Sequence, residues 1–241
     1  MIRAAIIGLG PWGRSLENSV HGSTNDIRFV TGHTRTRAKA EDFCGERGLR
    51  LVDDFATVLS DPTIDAVVLA TPHSQHAEQI AQAAAASKHI LVEKPITLDF
   101  ASAATAAEAA RKAGVTLAVG YCRRFHPSFG EIRERLRDGR LGKVVAMVAQ
   151  HTTSTQSFIA ADNWRSDPDE APAGAMTAVG LHALDLMIEF AGRVRDVQCI
   201  TGVHSEGPAD DTTTVLMRFA SGATGAIFCS VATATNFSFA A

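Results

Sequence analysis

Three glycines, a basic turn and a histidine are the residues whose types and spacing could do chemistry. In GLGPWG, Gly8, Gly10 and Gly13 stand in GxGxxG spacing directly after the apolar run AAIIG (4 to 8) and open a helical stretch. Such glycines, with Pro11 and Trp12 between them, turn tightly and let backbone N–H groups approach a pyrophosphate at a helix N-terminus. Glycines in a strand-to-helix turn also serve the turn alone, so the place of the motif in a βαβ unit is what gives it weight. An NAD site ordinarily sets Asp or Glu about 20 residues further on, against the ribose 2′-hydroxyl. Here GHTRTRAK has no carboxylate between Gly32 and Lys39, whereas Thr34, Arg35 and Arg37 offer a hydroxyl and guanidinium groups to a 2′-phosphate. NADP is therefore the expected cofactor with NAD the alternative, and a solvated basic turn is the plainer reading of the same residues. The histidine is His182 in AVGLHALD (178 to 185), with Asp185 three residues on. Alone, a histidine among apolar residues is explained as well by packing as by proton transfer.

The elements that must position these groups change character near residue 122. Up to there, the apolar runs AAIIG, IRFVTG (27 to 32), DAVVLAT (65 to 71), HILVE (89 to 93) and VTLAVG (115 to 120) alternate with helical stretches. Two of those stretches are Ala-rich, and Gly114 reads as a helix stop. Beyond 122 a charged helix, EIRERLRDG, precedes KVVAMVAQHTT, and VRDVQCITGVH, DTTTVLMRF and ATGAIFCSVAT follow the helix that holds AVGLHALD. Close strands with Gly and Asp turns imply an antiparallel sheet. The expected architecture is a dinucleotide-binding domain over 1–122, an α/β Rossmann fold with a doubly wound parallel sheet. An α+β domain with a largely antiparallel open sheet follows over 123–241.

Composition narrows the partners. A net charge of -3 and the lack of any long basic run give no footprint for nucleic acid or an anionic membrane, so a small-molecule substrate is expected. Cys44, Cys122, Cys199 and Cys229 form no CxxC pair, which fits reduced thiols in a cytoplasmic protein. The opening MIRAAIIGLGP is too short in apolar residues for a signal peptide, and no run reaches membrane-spanning length. The i, i+3 pairs His73/His76 and His182/Asp185 lack a third ligand, so no metal site is expected.

These segments together resemble the glucose-fructose oxidoreductase, inositol dehydrogenase and MocA family (Gfo/Idh/MocA). The resemblance is carried by GLGPWG at 8 to 13, TPHSQHAE at 71 to 78, VEKP at 92 to 95, GYCRRFHP at 120 to 127 and NWRSDPDEAPAGAMTAVGLHALD at 163 to 185. It implies that Thr71, Pro72, His76 and Glu93 line the nicotinamide half of the cofactor and that Lys94 lies beside it as an acid/base group. An ammonium at the end of a parallel strand can hydrogen-bond a substrate hydroxyl and polarise its oxygen. His182 matches the histidine of the family's DxGxH pattern, a substrate-site and proton-transfer position. Arg124, Trp164, Arg165 and Asp185 are weaker candidates for substrate binding, with Asp185 read first as helix support. The implied activity is hydride transfer between a nicotinamide and a carbinol or carbonyl carbon of a sugar, polyol or related metabolite. The implied assembly is a homodimer or higher oligomer formed through the open sheet.

Three departures stand against the family pattern. Ala178 occupies the place of an aspartate, one helical turn before His182, that would orient or charge-stabilise the imidazole. Cys122 stands where Asn is common in the family's GYNRRF-like segment. The chain also stops at NFSFAA, where relatives continue with further strands, so the second domain is expected to be incomplete, with a sheet edge left unpaired. The competing reading, motivated by Ala178 and the early stop, is a protein that binds NADP(H) as a sensor without turnover.

Overall fold

The computed structural model describes residues 1–154, 163–205 and 209–234, together with the backbone of 238–240. Its contacts divide the chain into two units, Met1–Gly120 and Tyr121–Ala241.

The first unit holds six parallel strands: β1 Ile2–Ile7, β2 Ile27–His33, β3 Arg50–Val52, β4 Ala66–Leu69, β5 His89–Val92 and β6 Leu117–Val119. Their order across the sheet is β3-β2-β1-β4-β5-β6. Alternation along β1 explains why the sheet is covered on both faces. Ala5 and Ile7 point into a core with Val58 of α3 (Phe55–Ser60), Ile80 of α4 (His76–Ala85) and Ala106 of α5 (Phe100–Ala113). Ala4 and Ile6 point the other way, into a core with Leu16 of α1 (Pro11–Val20) and Cys44 of α2 (Glu41–Arg47). The doubly wound reading holds. Strand β3 was not among the expected runs, because only its Leu51 and Val52 are apolar and Arg50 is exposed.

In the second unit α6 (Pro127–Arg137) leads to β7 (Ala146–Thr152), then come α7 (Leu181–Ala191), β8 (Val194–Gly202), β9 (Thr212–Phe219), β10 (Thr224–Ser230) and β11 (Ser238–Ala240). The sheet order is β11-β7-β10-β9-β8, antiparallel except for the parallel pair β7 and β10. Of NFSFAA only 238–240 are described, and their backbone pairs with β7. One face of the sheet is closed: Val215, Met217, Ile227 and Cys229 bury against Val179, Ala183 and Met187. On the opposite face Val148, Ile200, Leu216 and Phe228 remain exposed.

The segment holding AVGLHALD is not one uniform α-helix. Met176–Gly180 forms a π-helical turn that runs directly into α7. Position 178 lies within this wider turn, ahead of His182 in the first turn of α7.

Candidate active site

In the first unit the candidate groups follow the carboxyl ends of β1, β2, β4 and β5, where open parallel sheets bind ligands. Hydrogen bonds from Gly8 N to His33 O (2.8 Å), Ala70 N to Ile7 O (2.8 Å) and Glu93 N to Leu69 O (2.9 Å) carry the strand pairing into these loops. Gly8 has φ +95, and a Cβ there would stand 2.5 Å from the Ala70 carbonyl oxygen, so both the turn and the approach of β4 require glycine. A Cβ on Gly13 would strike the Gly8 carbonyl, which lets α1 pack onto its own turn. Gly10, in contrast, has open space around it and forms the N-cap of α1 with no side chain capping the helix. Unspent N–H groups, room for a backbone-close ligand and the exposed Trp12 alongside fit a pyrophosphate.

The basic turn resolves its two arginines. Arg37 binds Asp53 at 2.6 Å and Glu41 at 3.2 Å, and the Asp53 hydrogen bond raises its pKa. Arg35 is exposed and makes no ion pair among the described residues. Thr34 stands half-buried beside it, at the end of β2.

Thr71 Oγ1 donates to Gln79 Oε1 at 2.6 Å, and Thr71 and Pro72 keep partial exposure. The His76 side chain is fully buried. Its Nδ1 lies 2.9 Å from Pro95 O and its Nε2 3.2 Å from Thr71 O, so it ties the β4 loop to the VEKP loop. Glu93 lies against the Gly120 backbone, where a Cβ would come within 2.6 Å of Oε1, and its Oε2 accepts from Lys94 N at 3.2 Å. Lys94 is half-buried, and the Lys94–Pro95 bond is cis.

In the second unit His182 is half-buried in the first turn of α7. Asp185, buried on the same helix, receives both Arg124 Nε and Arg124 Nη2 at 2.6 Å. That bidentate bond raises the Arg124 pKa, and burial followed by the Asp185 charge raises that of Tyr121. Arg133 repeats the arrangement one turn along, with Nε 2.5 Å from Glu189 Oε1 and Nη2 2.7 Å from Arg124 O. Asp185 thus fastens the Arg124 segment to α7, a partner 61 positions away that no local pattern announces. Arg165 lies 4.2 Å over the Trp164 ring, and Asn163 Oδ1 accepts from Arg165 N at 3.0 Å. His151 on β7 was not singled out from sequence, yet its ring lies 6.1 Å from that of His182. Its place in an alternating strand was the only available sign. Among the described residues no group of three potential ligands could hold a metal ion, and no helix is long and apolar enough to cross a membrane.

A glycine turn at the carboxyl edge of a 3-2-1-4-5-6 sheet, followed by an α+β unit, defines a dinucleotide-binding oxidoreductase fold. Residues 2–121 match the model of the oxidoreductase family with an NAD-binding Rossmann fold, GFO/IDH/MocA, and residues 129–240 match the GFO/IDH/MocA C-terminal domain. The chain belongs to the GFO/IDH/MocA oxidoreductase family. It is 34% identical over 145 residues to scyllo-inositol 2-dehydrogenase (NAD(+)) of Bacillus subtilis, a match covering 60% of this chain and 42% of that one. It is 30% identical over 152 residues to inositol 2-dehydrogenase of Mycolicibacterium smegmatis, covering 62% and 44% respectively. The matched segment spans less than half of either relative. Among solved structures, GenD2 from gentamicin A biosynthesis in complex with NAD superposes with a TM-score of 0.89 at 28% identity, over 99% of this chain and 68% of that one.

Proposed function

We propose that the protein is an NADP-preferring oxidoreductase acting on a CH–OH or carbonyl carbon of a sugar, polyol or related small metabolite. The observation that carries the reading is the line of strand ends in the first unit, with Gly10 open at a helix N-terminus and Lys94 two strands along. The inositol dehydrogenases among its relatives support the substrate class. When bound, the nicotinamide supplies a hydride donor or acceptor at C4. Gly8, Gly10, Pro11, Trp12 and Gly13 hold the pyrophosphate, while Thr71, Pro72 and Glu93 border the nicotinamide half. Thr34 and Arg35 take the 2′-phosphate, since Arg37 is already bound by Asp53 and Glu41.

Lys94 of the first unit and His182 of the second are the candidate acid/base groups for the substrate oxygen. Trp164 and Arg165 position the substrate. Arg124 and Asp185 act together, through their ion pair, to fix the helix that carries His182. Ala178 favours a second reading, a sensor that binds NADP(H) without turnover, because it leaves that position without a carboxylate. Single-turnover absorbance with NADPH and a panel of carbonyl compounds, and with NADP and the matching polyols, separates them. Turnover of any member supports the enzyme, and tight cofactor binding with none supports the sensor. The exposed sheet face supports a homodimer or higher oligomer, since Val148 and Leu216 flank Ala226 in one cross-strand row and Phe228 lies in the next. A stable monomer in sedimentation at micromolar concentration would remove that part.

A further inference from the structure

We propose that His151 is a positioning residue for His182, acting through the π-helical turn that precedes α7. This rests on the reading that His182 transfers a proton.

Two neighbouring strands hold two successive residues of that turn. His151 of β7 is buried, and its Nδ1 lies 2.8 Å from the Val179 carbonyl oxygen. A carbonyl only accepts, so Nδ1 carries the hydrogen, and the tautomer of the neutral ring is fixed with its lone pair on Nε2. Directly opposite His151 across the parallel pair is Cys229 of β10. Cys229 packs under Gly180 so closely that a Cβ at Gly180 would come within 2.9 Å of its sulfur. Val179 is hydrogen-bonded and Gly180 is in contact, and His182 follows two residues later. Where a π turn with i→i+5 bonds passes into an α-helix with i→i+4 bonds, the hydrogen-bonding pattern changes, and an outside donor on a carbonyl at that junction helps to fix where the next turn begins. His151 supplies one, and its own ring then stands 6.1 Å from that of His182 with the planes tilted by 40°. Position 178, where a carboxylate would hold the histidine from its own helix, carries a methyl group packed against the core. The strand does the orienting that the helix does not.

Two charged groups on elements packed against this helix have partners among the described residues. Arg124, beside Tyr121, is paired with Asp185, and Arg133 of α6 is paired with Glu189. Burial pushes the Cys229 thiol up to about 11, so it is neutral near pH 7. His151 is the group of β7 whose replacement should alter the setting of His182.

Asparagine and glutamine separate positioning from packing, because an Asn amide can place an N–H where Nδ1 stands and a Gln amide cannot. In the full chain, His151→Leu and His151→Gln should lower kcat about 10- to 100-fold with the dinucleotide Kd changed less than about twofold. His151→Asn should stay within about threefold of the parent. Histidine-selective NMR titration gives a readout besides turnover: the His182 imidazole should titrate as in the parent in the Asn variant and at a displaced midpoint in the Gln variant. Equal behaviour of Asn and Gln in kcat and in the His182 titration would overturn the proposal, and a His151→Leu protein that fails to fold does not affect that comparison. If the parent turns over no substrate, the proton-transfer reading falls, while the NMR comparison still decides whether His151 sets His182.

Discussion

In the first domain the groups proposed to meet the cofactor are largely backbone, while in the second the groups around His182 are side chains held by partners far away in sequence. Gly8 and Gly13 leave no room for a side chain, Gly13 against the turn itself and Gly8 against the Ala70 carbonyl beside it, so this region is set by backbone close to one turn. His182 depends on β7 through His151 and Val179, and its helix depends on ion pairs spanning 61 positions to Arg124 and 56 to Arg133. A backbone site is fixed by local conformation and survives wherever the strand-to-helix turn survives. A side-chain site built this way can be retuned by changing one partner, and this chain has Ala178 at one such position.

The largest expected effect breaks the comparison at its functional end. His182→Ala should lower turnover about 10²- to 10⁴-fold at saturating cofactor and substrate, with NADP affinity unchanged, since the imidazole serves the substrate. A folded variant whose turnover stays within about threefold of the parent would reduce His182 to a packing residue.

The same contrast decides what was legible in the sequence. The βαβ rhythm and GLGPWG are local patterns, and the parallel sheet with its glycine turn followed from them, as did the largely antiparallel second sheet. Strand β3 was missed because three residues with an exposed arginine carry no periodic signal. His76 links the β4 and VEKP loops from a buried position, and in sequence such a histidine looks the same as one that faces a ligand. Asp185 lies at helical spacing from His182, yet its carboxylate is bound by Arg124 from another element, a pairing that only the fold creates. The π turn was hidden for a related reason: its residues have ordinary helical composition, which carries no mark of the extra width.

On the cofactor side, Arg35→Ala should weaken NADP(H) binding about 10- to 150-fold, the range of a lost charge-assisted contact, and leave NAD(H) nearly unchanged. Arg37→Ala is the matched control, because its guanidinium is bound by Asp53 and Glu41; it should cost less NADP affinity than Arg35→Ala. Isothermal titration of both cofactors on both variants checks this, and equal losses for NADP and NAD would remove the 2′-phosphate assignment.

The second domain also carries a local anchor. Burial pushes the Asp211 carboxyl up, but hydrogen bonds from His204 and Ser205 outweigh it and bring its pKa down to about 2. A carboxyl depressed in the folded state stabilises that state fully above its ordinary value near 3.8, and the contribution is lost as pH falls toward 2. The contribution is on the order of 2 kcal/mol. Urea unfolding of the parent and of Asp211→Asn at pH 7 and pH 3 should show their stability difference shrinking as pH falls. A difference that stays constant would mean that Asp211 contributes by shape and not by charge.

The smallest expected effect sharpens the comparison most finely, because it asks whether the second domain can be returned to the family pattern by one substitution. In Ala178→Asp a carboxylate enters the π turn ahead of His182, where it should favour the imidazolium and raise the His182 pKa. On a regular α-helix the two side chains would stack one turn apart. Position 178 packs partly against the core, so the shift should be modest, about half a pH unit to one unit. The pH dependence of turnover should move upward by the same amount, since the base that must lose its proton then does so later. His151→Asn combined with Ala178→Asp should show the same shift as Ala178→Asp alone if the strand contact acts through the Val179 carbonyl, which the Asn amide preserves. NMR titration of His182 in the parent and both variants measures it. A His182 pKa that does not move in Ala178→Asp would show that a carboxylate at position 178 does not act on the imidazole, leaving the strand as the element that sets it.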